Sequence, residues 1–209
     1  MERAALLFLV GAVFGSALDG LHTHSGTTSY PDPIFLRMAW WTPLLFGGAV
    51  LGLGGGYSLA MYRLGARRGP PPPRTMALAC ASFVLLFAVS AYLPSSNPVK
   101  LAVLLAGTAM LWRLADRTWQ GAVLAACVAV FGVATEIFLT GVGAFTHHQA
   151  DALGIPMWLP GLYLAAAPSL GQWARSVILA PAGAPLSSAA PGSPEPPPAR
   201  PAPAPGPAR

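Results

Sequence analysis

Ionisable side chains are scarce in this chain, so the few present mark where chemistry is possible. Glu136 is the sharpest of them, a carboxyl inside the apolar run Val133-Ala134-Thr135-Glu136-Ile137-Phe138-Leu139. A carboxyl carried into lipid costs about 2.5–3.5 kcal/mol on insertion scales, so it normally faces a cavity or a polar partner. Two readings stand: a hydrogen bond to a lipid hydroxyl or headgroup, or a protonated carboxyl bonded to a neighbouring helix. His22, His24, His147 and His148, with Asp19 and Asp151, gather around two loops. His-x-His spacing is compatible with a metal site, but loop histidines at a headgroup surface are more commonly solvated, and no metal is expected. Asp116-Arg117 closes another apolar run. It reads as a charge pair on a solvated turn, worth about 0–1 kcal/mol, or as a docking point. No Ser-His-Asp set or pair of catalytic carboxylates is visible. The glycines at 52–56 lack the Lys of a phosphate loop, so no cofactor is expected either.

The composition places these residues in a membrane protein. Charged residues are 9% of the 209, against roughly 25% in a soluble domain. The hydrophobic share is 54% and mean hydropathy is +0.56. The net charge of +5 comes from arginines lying between apolar runs, which is not a nucleic-acid footprint. Cys80 and Cys127 both sit inside apolar runs and read as small core residues, not as a disulfide.

Apolar runs and Pro punctuation predict an all-α, six-helix transmembrane bundle over 1–180. The spans fall at about 4–21, 39–60, 76–93, 98–114, 119–141 and 156–180. The first has small residues at its end, as a cleaved signal peptide would; a retained helix is the preferred reading. Residues 22–37, with His22, His24, Tyr30 and Pro31-Asp32-Pro33, read as an ordered polar turn. The glycine-rich second span is expected to bend or break near 54–56, and Pro168 to kink the sixth. Residues 181–209 are Pro, Ala, Gly and Ser with almost nothing to bury, so a disordered tail is expected. Six spans put Arg3, the arginines of 63–74, Arg113, Arg117 and Arg175 on one side, with only Arg37 and Lys100 opposite. The positive-inside rule then makes both termini cytoplasmic.

Two stretches share the form Trp-x-Pro-x-x-aromatic: Trp41, Pro43, Phe46 and Trp158, Pro160, Tyr163. Each opens a span with Pro in the first turn, where its missing N–H costs nothing. Their tryptophans read as interfacial anchors or as the mouth of a cavity. The hairpins of spans one–two and five–six are therefore candidate equivalents in the same orientation.

These residues resemble the Insig family over about 4–180. The anchors are Ala39-Trp40-Trp41 with Pro43 and Gly47, then Leu111-Trp112 with Asp116-Arg117 and Gly121, then Trp158-Leu159-Pro160. The resemblance implies a six-helix bundle with cytoplasmic termini, a lipid- or sterol-binding cavity between helices, and no catalysis. It places Glu136 where the family has a glutamine beside that cavity. It equates Asp116 with the aspartate tied to binding a sterol-sensing escort protein; a sterol-synthesis reductase is the other animal partner. Thr118-Trp119 and the Pro-rich tail depart from the animal pattern. The Ala- and Arg-rich composition fits a bacterial, GC-rich genome. The location is then the inner membrane, or the endoplasmic reticulum in a eukaryote.

Together these readings describe a non-catalytic regulator that binds a sterol or diacylglycerol-like lipid through Glu136, Trp41, Phe46, Trp158 and Tyr163. Asp116 and Arg117 serve a membrane-protein partner on the cytoplasmic side, and the chain is a candidate homo-oligomer. The rival is a membrane hydratase or isomerase using Glu136 and a loop histidine as acid and base.

Overall fold

The computed structural model describes residues 1–65 and 69–180; Arg67, Arg68 and the expected Pro-rich tail lie outside them. Six helical runs follow one another: α1 Glu2–Ser25, α2 Thr42–Arg63, α3 Pro73–Tyr92, α4 Asn97–Ala115, α5 Trp119–Gly141 and α6 over 159–179. Pro lies in the first turn of α2, α3, α4 and α6, where it presets φ without losing a hydrogen bond. Thr118 caps α5, its hydroxyl accepting from the Gly121 N–H at 3.0 Å.

Among the described residues, five helices, α1 to α5, are long and apolar enough to cross a membrane. α6 is different in kind. It carries Pro168, Ser169, Gln172 and Arg175, all buried, and packs against all five of the others. Small residues allow this: Ala165, Ala167, Ser169 and Ala174 have no exposed surface, and small side chains let helices approach closely. The kink expected at Pro168 is accommodated by a π-turn, Ala167–Gly171.

The glycines of α2 do not break it; the helix is continuous through 54–56. Gly54 is a contact point, where an added Cβ would lie 2.8 Å from the Cβ of Ala174 on α6 and 3.1 Å from Leu7. Gly48, Gly52, Gly55 and Gly56 face open space. The cysteines are free: Cys80 is half-buried on α3, whereas Cys127 is exposed on α5 and so is not a core residue.

At one end of the bundle Asp116 closes α4 and is 2% exposed, which replaces the solvated charge pair expected from sequence. It accepts hydrogen bonds from the Tyr57 hydroxyl of α2, from the Thr118 hydroxyl, and from the Thr118 N–H at 3.2 Å. Gly121 leaves the space the carboxylate occupies. One buried carboxylate therefore ties α2 to the α4–α5 turn. Arg117, next to it, is exposed and adopts φ 61°, a left-handed conformation normally left to glycine.

The other end holds two matching hairpins, related by a constant offset of 117 residues that runs from Asp19/Glu136 to Phe46/Tyr163. Gly26 and Gly143 both adopt positive φ, 75° and 73°. The Thr27 N–H donates to His22 O, and Ala144 to Leu139 O, each at 2.9 Å. Phe35 bridges Met38 as Ala152 bridges Ile155. Trp41 (φ −80°, ψ −14°) and Trp158 (φ −78°, ψ −16°) precede their helices in one conformation. The two loops pair through β1 Thr28–Ser29 and β2 Thr146–His147, antiparallel, and Ser29 meets Thr146, its own counterpart. The equivalence expected from the Trp-x-Pro motifs thus extends through both connecting loops.

Two predictions test this packing. Gly54→Leu should lower the stability of the detergent-solubilised protein by about 1–3 kcal/mol, the usual range for overpacking, while Gly55→Leu should change it by less than about 0.5 kcal/mol; equilibrium unfolding of both variants makes the comparison. Tyr57→Phe leaves Asp116 short of a buried donor and should cost about 1–3 kcal/mol, read in the same titration.

Candidate functional site

The end of the bundle where the hairpins meet gathers most of the polar side chains singled out by the sequence. Glu136 lies in the last turns of α5, with its side chain 18% exposed. It is turned towards protein: Tyr163 Oη donates to Oε1 at 2.6 Å, and His147 Nε2 lies 3.0 Å from Oε2. Tyr163 reaches it from α6 because Gly132 leaves room for the phenol ring against α5. His147 reaches it because β2 and the Gly143 turn fold the loop back over the helix end.

The matching acid of the first hairpin is Asp19. Tyr30 Oη donates to its Oδ2 at 2.7 Å. In both hairpins the acid is bonded by the residue eleven positions further on. Tyr30 lies in the loop between α1 and α2; burial and the adjacent Asp19 push its phenol well above the ordinary tyrosine range, so it remains a donor. Rings join the two acids: Tyr30 to Phe145 at 5.5 Å and Phe145 to His147 at 5.3 Å between centroids.

His22 extends the network. α1 runs on to Ser25 and ends at the left-handed Gly26, so His22 and His24 belong to its last turns, not to a loop. His22 is buried, 2.8 Å from Ser90 Oγ and 3.9 Å from Asp19, and stacked on Phe87 at 4.5 Å. Lys100 Nζ donates to Ser90 O at 3.0 Å and lies 5.8 Å from the Trp158 ring. Trp158 is fully buried among these groups, which replaces the interfacial position expected for it. Its Nε1 and the Nδ1 of His147 have no hydrogen-bond partner among the described residues.

The remaining predicted residues fall elsewhere. Trp41 touches the cluster edge-on through Tyr30, at 5.8 Å, and Trp40 is exposed. Phe46 belongs to the α1–α2 contact, against Gly11 and Gly15. His24 is exposed, and His148 is also exposed, bonded to Ser29 at 2.9 Å. Asp151 anchors its own loop, accepting from Asn97 and from the Met157 N–H, each at 2.7 Å. Among the described residues no three His, Cys, Asp or Glu side chains come together as a metal site. An apolar groove of about 220 Å³ lies between α4, α5 and α6, lined by Leu105, Trp112, Leu164 and Pro168, among others; Glu136 is not part of it.

Sequence reading picked out Glu136 and Tyr163 but did not join Asp19 and Tyr30 to them. The signal was present: the shared spacing of eleven between acid and donor, inside two stretches that align without a gap.

No family model matches the chain. It is 28% identical to the insulin-induced gene 1 protein of Gallus gallus over 86% of this chain and 73% of that protein. To the protein of that name from Danio rerio it is 27% identical, with the same coverage of each. Among solved structures, the mycobacterial Insig homologue MvINS from Mycobacterium vanbaalenii matches with a TM-score of 0.75 and 27% identity, over 85% of this chain and 95% of that one. A cross-linked trimer of MvINS matches equally well. In sequence and in helical architecture alike this chain is similar to the Insig proteins, an Insig-like multi-pass membrane protein.

Proposed function

We propose that the chain binds a lipid within the bilayer and acts by that binding, not by catalysis, as a regulator of lipid or sterol metabolism. The observation that carries this reading is the carboxyl of Glu136, held inside the bundle by Tyr163 and His147 and ringed by aromatic side chains. A polar cluster at the end of an otherwise apolar bundle suits a ligand with a small polar head and a long apolar body. The groove between α4, α5 and α6 would take such a body. A sterol or a diacylglycerol-like lipid has this form, and tryptophans 41 and 158 flank the head region.

The same reading has six crossings, with α6 as the sixth, and both termini on the cytoplasmic side. Arg3, Arg63, Arg74, Arg113 and Arg117 support that orientation, since they sit at the ends of helices that alternate in direction. The membrane is the inner membrane of a bacterium or, in a eukaryote, the endoplasmic reticulum. A partner would meet the exposed Arg117, with Asp116 holding the turn that presents it from within. Homo-oligomerisation is supported by the trimer named for MvINS.

A specific observation favours a second reading. Glu136 and His147 do meet, at 3.0 Å, as acid and base of an isomerase or hydratase would. The Nε2 of His147 is nevertheless already engaged by the Glu136 carboxyl.

Mass spectrometry of lipids carried through purification tests both readings. Glu136→Gln and Glu136→Ala should retain about tenfold less of the dominant lipid than the unmodified chain, the loss of one charge-assisted hydrogen bond. An unchanged lipid content removes Glu136 from the site. Time-dependent conversion of a lipid extract by the unmodified chain, absent in Glu136→Gln, would establish the enzyme instead.

A further inference from the structure

We infer that Asp19 and Tyr30 form a second half of the Glu136 site, and that the two halves together take a lipid whose head presents two hydroxyl groups. The inference rests on the lipid-binding reading above and names the chemistry of the head.

The halves are copies. Asp19 occupies in α1 the place of Glu136 in α5, and Tyr30 the place of His147. They also form one cluster. Tyr30 packs on Phe145 at 5.5 Å, and Phe145 on His147 at 5.3 Å, so an unbroken chain of rings runs from the partner of Asp19 to the partner of Glu136. The pairing of Ser29 with its counterpart Thr146 sets the loops of the two halves side by side.

The hydrogen-bond inventory then selects the ligand. Each carboxylate has about four lone-pair sites. Asp19 receives one hydroxyl donor, and Glu136 one hydroxyl and one ring nitrogen. Acceptor capacity is therefore in excess, and the ligand must bring donors. It must also accept. Trp158 is 0% exposed and its Nε1–H, which can only donate, has no partner. His147 Nδ1, an acceptor when Nε2 donates to Glu136, has none either and calls for one more donor. An ammonium head donates but cannot accept. A phosphate accepts and is repelled by two carboxylates. A hydroxyl does both, and two acid-bearing halves call for two hydroxyls. Lys100 does not alter this balance, since its ammonium donates to Ser90 O and faces the Trp158 ring.

Two probes with nearly the same chain and different heads test the inference on the delipidated full chain in detergent. Monoolein presents two free hydroxyls and oleyl alcohol one. Binding is read from the displacement of the thermal midpoint across a titration. On the unmodified chain monoolein should bind about tenfold more tightly than oleyl alcohol. In Asp19→Asn the preference should disappear, the two probes binding alike. Equal affinities on the unmodified chain, a comparison that needs no variant to fold, overturn the inference, as does a preference that survives Asp19→Asn. If oleyl alcohol binds and Glu136→Gln weakens it while monoolein shows no advantage, the two-hydroxyl head falls and the lipid-binding reading stands. If neither probe binds, both fall.

Discussion

A carboxyl group within a bilayer-spanning helix has few ways to exist, and the pairing of Glu136 governs the end of the bundle in which it lies. Its two oxygens are met by a phenol from α6 and an imidazole from the loop between them. Supplying those partners imposes the rest: Gly132 so that Tyr163 can approach, a left-handed Gly143 so that the chain can turn back, and a short β-pair so that His147 stays over the acid. The energetic asymmetry explains this investment. A satisfied buried pair contributes little net stability, whereas the same acid stripped of one partner is strongly destabilising. Glu136 is thus held by protein groups alone.

The duplication of that device is the second constraint. The hairpins α1–α2 and α5–α6 are separated by two further helices, α3 and α4. An even number of intervening crossings leaves both copies pointing the same way, so their acids arrive at one end and can meet. Parallel repeats of this kind are related by an axis along the membrane normal, unlike the inverted repeats of many transporters. Among the described residues the opposite end has no such copy. There a single buried aspartate, Asp116, does the tying, through Tyr57 and Thr118.

Much of this was legible beforehand, and the failures have physical reasons. Span boundaries were read to within a few residues because apolar length and Pro at helix starts are local signals; α5 falls at 119–141 as expected. The start of the first loop was misplaced because polarity was taken for a break: His22 and His24 are polar yet helical, and Gly26 is the true stop. Glycines at 54–56 suggested a weak helix, but propensity is overridden where Gly54 buys a close contact with α6. Trp158 and Asp116 were given to the surface by residue type and turned out buried, since type alone does not say which neighbours satisfy a polar group. Glu136 could be singled out from its apolar surroundings. Its partners could not, because the contacts of Tyr163 and His147 join separate elements that only the tertiary fold brings together.

α6 is wrapped by its neighbours instead of by lipid, and it carries a proline, a glutamine and an arginine that hydrocarbon would reject. Such a segment has little reason to enter a bilayer unaided. It gains its seat from the walls that the five earlier helices provide, so its place in the bundle depends on theirs. Tyr163 comes with it, so Glu136 has its phenol partner only while α6 is seated.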